Sequence, residues 1–228
     1  MRTPLLEAVL QPEPGVPHED NEVVGRFQFG LLCNDRPHVL ATWRVTSSDS
    51  AVIDRVAELL GGSIHDTINA NERTCEVITD TPTVDVFLSG PTALQVRWQR
   101  DALGNWCDGV KQQIEQAGQS CRCPPSLPER KAAAQQGRGC APLVQVIFRL
   151  CKDPTLGMFT FTSGNWSFAK DALQAVAMLE RNGMPARVGL SIEQTHCTLR
   201  SGRAVASTRP TLSHGSTNRS EPGMVQSH

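Results

Sequence analysis

The feature that most limits what this chain can fold into is a segment at about residues 104–142, which holds few large apolar side chains but four cysteines. These are Cys107, Cys121, Cys123 and Cys140, spaced C-x13-C-x-C-x16-C. So little apolar surface cannot by itself offset the backbone entropy of ordering, about 1–2 kcal/mol per residue. Four thiolates can supply the missing order by closing a tetrahedral shell around Zn2+ at about 2.3 Å per bond, with no position vacant for a substrate. The close pair is C-x-C, where zinc knuckles usually carry C-x2-C. Glycines and prolines beside the cysteines favour turns that aim backbone N–H groups at sulfur. The segment is therefore predicted to hold a structural zinc ion on Cys107, Cys121, Cys123 and Cys140, against the alternative of four unconnected reduced thiols in a loop.

The rest of the composition agrees with metal binding more than with disulfides. The chain has 228 residues and eight cysteines. No stretch approaches the ~20 apolar residues that span a bilayer. Pro4, Glu7, Pro12 and Glu13 interrupt the short N-terminal apolar run before a signal-peptide core can form. A cytoplasmic location is expected, and there thiols stay reduced. Cys33, Cys75, Cys151 and Cys197 stand in or beside apolar, strand-like sequence and read as small core residues. The net charge is −1 and tyrosine is absent. No global field recruits nucleic acid, and a stacking platform for single strands is poorly supplied. Contact with DNA would come from a local patch or through a partner.

Two similar passages flank the cysteine segment. The first runs from Trp43-Arg44-Val45-Thr46-Ser47 through an amphipathic run to Gly61-Gly62 and Ser63-Ile64. The second runs from Phe159-Thr160-Phe161-Thr162-Ser163 through a longer amphipathic run to Asn182-Gly183 and then Ala186 to Ile192. Val52, Ile53, Val56, Leu59 and Leu60 fall at helical spacing, as do Ala169, Ala172, Leu173, Val176 and Ala177. Ser47 or Ser48 can cap the first helix, Asn165 or Ser167 the second, and Gly62 and Gly183 can end them. Thr74–Thr79, Thr83–Leu88, Ala93–Trp98, Leu143–Leu150 and Arg187–Ile192 read as strands. The fold class is α+β: two strand-helix-strand units sharing a sheet, with a cysteine-rich zinc-binding insert between them. Residues 1–25 read as a flexible N-terminal arm, 26–207 as the domain, and 208–228, which offer little to bury, as a disordered tail.

No catalytic constellation is visible. The nucleophile elbow, the H-E-x-x-H helix, the phosphate-binding loop and the zinc deaminase signature are all missing. His65-Asp66 and Glu193 with His196 are the only histidine–acid neighbours in ordered sequence. His65 reads as a surface residue, and His196 as a strand-end residue or a substitute metal ligand beside Cys197. Asp108 reads as a turn former. Arg97, Arg100, Lys111, Arg122, Arg130, Lys131 and Arg138 are spread around the insert, as a solvated loop or as a positive surface for DNA or an acidic partner. Catalytic and cofactor-binding residues are expected to be none.

The order of these landmarks resembles the phage recombination directionality factors that act on large serine integrases. The residues that carry the likeness are Trp43-Arg44-Val45-Thr46-Ser47, Leu60-Gly61-Gly62, Cys75-Glu76-Val77-Ile78-Thr79-Asp80, Trp106-Cys107-Asp108-Gly109 and Cys121-Arg122-Cys123-Pro124. Leu156-Gly157, Phe159 to Trp166, Ala169 and Ile192-Glu193-Gln194 complete it, and together they span residues 26–207. The resemblance implies a phage or prophage regulatory protein that binds a serine integrase already seated on DNA, suppressing integration and promoting excision. Such a factor changes no covalent bond and meets DNA indirectly, through the integrase. Other readings are a zinc-containing nucleic-acid-binding accessory protein of phage replication or recombination, and a metal-dependent hydrolase.

Overall fold

A computed structural model describes residues 23–33, 36–69, 72–100, 106–107, 121, 123–182, 186–198 and 204–214. They form an α+β fold dominated by one eleven-stranded sheet. The first half contains β1 (Val23–Cys33), β2 (Arg36–Ser47), α1 (Ser50–Leu60), β3 (Ser63–Asn69), β4 (Glu72–Ile78), β5 (Thr83–Leu88), β6 (Leu94–Gln99) and β7 (Trp106–Cys107). The second half contains α2 (Leu127–Gln135), β8 (Ala141–Leu150), β9 (Met158–Ser163), α3 (Trp166–Asn182), β10 (Ala186–Thr198) and β11 (Ala204–His214). The strand order is β11-β10-β5-β8-β9-β1-β2-β4-β3, with β6 and β7 branching from β8.

The branch follows from β8 using both edges. Val144 to Phe148 pair with β9, while Ala141 to Val146 pair with β6 and Arg149 and Leu150 with β5. A 3-10 turn at Pro91–Ala93 breaks the chain between β5 and β6, which lets β5 leave to pair with β10. β8 alternates as a half-buried strand should: Pro142, Val144, Val146, Phe148 and Leu150 are buried.

The core is aromatic. Phe27, Trp43, Phe148, Phe159, Phe161 and Phe168 are all buried, and meet mostly edge to face. Centroids lie 5.4 Å apart for Phe27–Phe159, 5.1 Å for Trp43–Phe161 and 5.4 Å for Phe161–Phe168. Trp43 is fully buried and its indole N–H donates to the Pro82 carbonyl at 3.0 Å, so the one polar group among these rings is satisfied. α1 lays Val52, Ile53, Val56 and Leu60 on this core, and α3 lays Phe168, Ala169, Ala172, Ala175 and Leu179.

Several details depart from the sequence expectations. Asp49 caps α1 by accepting from the Ala51 N–H at 2.9 Å, because Ser47 is still in β2, its hydroxyl bound to the Val24 carbonyl. Of the two caps expected for α3, Asn165 is the one used, accepting from the Ser167 and Phe168 N–H groups. Gly61 provides the α1 cap at φ 73°, donating to the Ala57 carbonyl, and Gly62 follows at φ 113° with no room for a Cβ against the Ile78 carbonyl. Gly183 lies outside the described residues. Leu173 is 37% exposed, the buried stripe of α3 having passed instead through Phe168, Ala175 and Leu179.

The boundaries move too. β1 begins at Val23, inside the expected arm 1–25, while residues 1–22 lie outside the described residues. β11 runs to His214, inside the expected tail 208–228, because eleven registered pairs with β10 hold it and Pro210, Thr211 and Leu212 are buried. The two similar passages also diverge. β2 and β3 each pair antiparallel with β4, so they run parallel around it, whereas β9 and β10 are separated by β8 and β5 and run opposite ways. No helix among the described residues is long and apolar enough to cross a membrane.

Trp43→Ala, which empties the centre of the aromatic cluster, is expected to lower stability by about 3–5 kcal/mol in urea titrations, and Trp43→Phe by less.

Candidate metal centre

The cysteines of the central segment are delivered by three local devices. Cys107 is on β7, whose short pairing sets Cys107 opposite Trp98 and Trp106 opposite Gln99. Cys121 and Cys123 stand in the loop ahead of α2. Cys140 is the last residue before β8 and is reached from α2 by a tight return. Gly137 takes φ 68° in that return, and Gly139 runs so close to the helix that a Cβ there would meet the Ala133 Cβ at 3.0 Å.

The three devices converge. The sulfurs of Cys107, Cys121, Cys123 and Cys140 all lie within 4.8 Å of one another. Cys107–Cys140 and Cys121–Cys140 are 3.9 Å apart, near the roughly 3.8 Å edge of a tetrahedron with zinc–sulfur bonds, and Cys121–Cys123, at 3.2 Å, is closer than that edge but still too long for a disulfide. The Cys140 N–H donates to the Cys123 sulfur at 3.4 Å, the kind of contact the glycine- and proline-rich turns favour. Cys107 and Cys140 are buried, and Cys121 and Cys123 are half-buried.

The cluster rests in a satellite core of its own. Trp98, Cys107 and Cys140 form its buried centre, with Val96, Leu127 and Trp166 packed around it. Trp166 opens α3 and lies 5.8 Å from Trp98, which joins the cysteine segment to the main domain. The Arg97 guanidinium lies 5.1 Å from the centroid of Trp106, and that of Arg130 4.3 Å from Trp98. These two cations are engaged with rings, not free in a solvated loop. Lys111, Arg122 and Asp108 lie outside the described residues, while Arg100, Lys131 and Arg138 are exposed.

Between the Cys121–Cys123 loop and Cys140 lies α2. Ser126 caps it, accepting from the Glu129 N–H, and the helix shows little amphipathic stripe, with only Arg130 buried. Of the remaining cysteines, Cys75 is buried in the main core as expected, but Cys151 is half-buried in a turn after β8 and is not a core residue. His65 is exposed on β3. His196 is on β10 opposite Ala206, its side chain outside the described residues.

The thiols crowd one another and shift in opposite directions. Burial, then hydrogen bonding to Cys123 and the nearby sulfurs, pushes the Cys140 thiol far above its ordinary value. Burial acts upward on Cys121 as well, but hydrogen bonds from Cys123, Cys107 and Cys140 outweigh it and leave that thiol below its ordinary value. A divalent cation at the centre of the four sulfurs would favour the thiolate form of each. Donor type, number and spacing fit a closed four-sulfur metal shell.

A family model described as Gp3-like, recombination directionality factor-like, matches residues 14–205. The chain belongs to this family. The match includes all four clustered cysteines, both flanking helices and the aromatic core, and it ends just inside β11. No solved structure matches the chain. Family pieces far apart in sequence, the Trp106-Cys107 corner, Cys121 to Pro124 and the stretch ending in Trp166, are neighbours around this one cluster.

Cys121→Ser and Cys140→Ser should each drop bound metal from about one equivalent per chain to well below it in elemental analysis, while Cys151→Ser keeps it. Binding must release thiol protons. Lowering the pH should therefore weaken metal uptake, followed as proton release by calorimetry in buffers of different ionisation enthalpy.

Proposed function

We propose that this protein binds a large serine integrase and shifts it from integration toward excision, with a structural Zn2+ bracing part of the surface it presents. The observation that carries this reading is the family match over residues 14–205, joined to a cysteine cluster that lies inside the match. A four-thiolate shell is coordinatively closed, which suits a binding role and leaves no site for a metal-bound water. Its ligands need reduced thiols, in keeping with a cytoplasmic setting and a gene carried by a phage or prophage beside that of its integrase.

Such a protein works through differential affinity. It must bind the integrase conformation that synapses the excision sites more tightly than the one that synapses the integration sites. A coupling of about 1–3 kcal/mol corresponds to a 5- to 150-fold shift. A ligand binding both states equally shifts nothing, however tight it is. The near-neutral net charge fits contact with DNA through the integrase.

The test is recombination in vitro with purified integrase from the same genome. Adding this protein should form a complex on a sizing column, lower the yield from integration sites and raise that from excision sites within the range above. No complex together with no directional change would sink the proposal. Salt-dependent binding of the isolated protein to DNA, in the absence of integrase effects, would instead favour the nucleic-acid accessory role.

A further inference from the structure

One charged side chain is built into the same small core as the four sulfurs. Arg130, on α2, is only 4% exposed. Arginine stays protonated, so a guanidinium held this far from water must exchange its hydration for fixed contacts. Its Nε donates to the Pro124 carbonyl at 3.0 Å, and its plane covers the Trp98 ring at 4.3 Å from the centroid.

These contacts join three parts of the cluster. Pro124 directly follows Cys123. Trp98 is the β6 residue paired with Cys107. The helix that carries Arg130 leads through Gly137 and Gly139 into Cys140. A single side chain therefore ties together the loop that carries Cys121 and Cys123, the β6 strand that pairs with the Cys107 strand, and the helix that leads to Cys140. A leucine or methionine could cover Trp98 equally well, but neither could donate to the Pro124 carbonyl. A lysine would bring a point charge without the planar fork.

We propose that Arg130 is a positioning residue of the metal centre: it fixes the loop, the β6–β7 pair and the helix return that together present the four thiolates. The proposal rests on the metal reading above. Groups in this outer position typically contribute ten- to a hundredfold to metal affinity.

The test uses the full chain, reduced and free of oxygen, with Co2+ as the probe and Zn2+ in competition. Wild type should show sulfur-to-cobalt charge transfer and tetrahedral ligand-field bands. Arg130→Gln should weaken both metals by about ten- to a hundredfold, with altered ligand-field bands at saturation. Arg130→Lys, which keeps the charge, should recover part of the loss. The altered bands are a signature that simple loss of stability would not produce, and hydrogen exchange of β1 and β9 at saturating metal reports whether the main core is intact. If Arg130→Gln fails to fold even with metal, Arg130→Lys decides alone, by weakened affinity or its absence. Variants within about twofold of wild type, with unchanged spectra, overturn the role of the arginine and leave the metal reading standing. A wild type that takes up neither metal removes the metal reading and this proposal together.

Discussion

The edge-to-face contact of Trp43 with Phe161, and of both rings with their phenylalanine neighbours, is the interaction on which the rest of this molecule depends. Six rings from four strands and one helix meet there. Each well-oriented pair adds about 0.5–1.5 kcal/mol beyond its area. With tyrosine absent from the chain, the cluster buries no hydroxyl, and its one indole N–H is bound to Pro82. The consequence reaches the cysteine cluster. Phe148 anchors the far end of β8, whose near end is preceded by Cys140, and Phe168 anchors the first turn of α3, which opens with Trp166. The candidate metal centre is tied to the core through these two residues and through β6, which pairs with both β7 and β8.

Much of this arrangement was legible in the sequence, for a simple reason. β4, β5, β6, β8 and the first half of β10 alternate or carry β-branched runs, and α1 and α3 carry apolar side chains at helical spacing, so the periodicity names them. What failed lacks a period. β11 contains serine, threonine and a proline, and only its register with β10 makes it a strand. α2 is held by its cap and by Arg130, with no apolar stripe to announce it. Asp49 displaced Ser47 as a cap because the length of β2 is decided by its partners β1 and β4, which local sequence does not contain.

The candidate site divides the same way. Four cysteines in a segment with little to bury identify themselves by type and isolation, and they are the four whose sulfurs meet. The residues that hold them in place do not. Trp98 and Trp166 are 68 positions apart in the chain and meet only because β6 and α3 both pack on β8. Arg130 reads as one more solvated cation until the fold lays it on a tryptophan. The rings that Arg97 and Arg130 cover, Trp106 and Trp98, stand 9 and 32 positions away in the chain, so neither contact has a local signature.

The likeness of the two strand-helix passages is local, and this bears on what the insert is for. A duplicated unit would repeat its strand directions. Here β2 and β3 run parallel around β4, while β9 and β10 run opposite ways with β8 and β5 between them. Capping, amphipathic run and glycine stop are a common helix grammar and need no shared ancestry. The cysteine segment is then not a linker between repeats, free to move with either. Among its described residues, Trp106 and Cys107 pair with β6 as β7, and Cys140 leads directly into β8. On the proposed reading, a partner that touches this segment pushes against the core itself. Discriminating between two integrase conformations needs that stiffness, since a segment that yields to both states prefers neither.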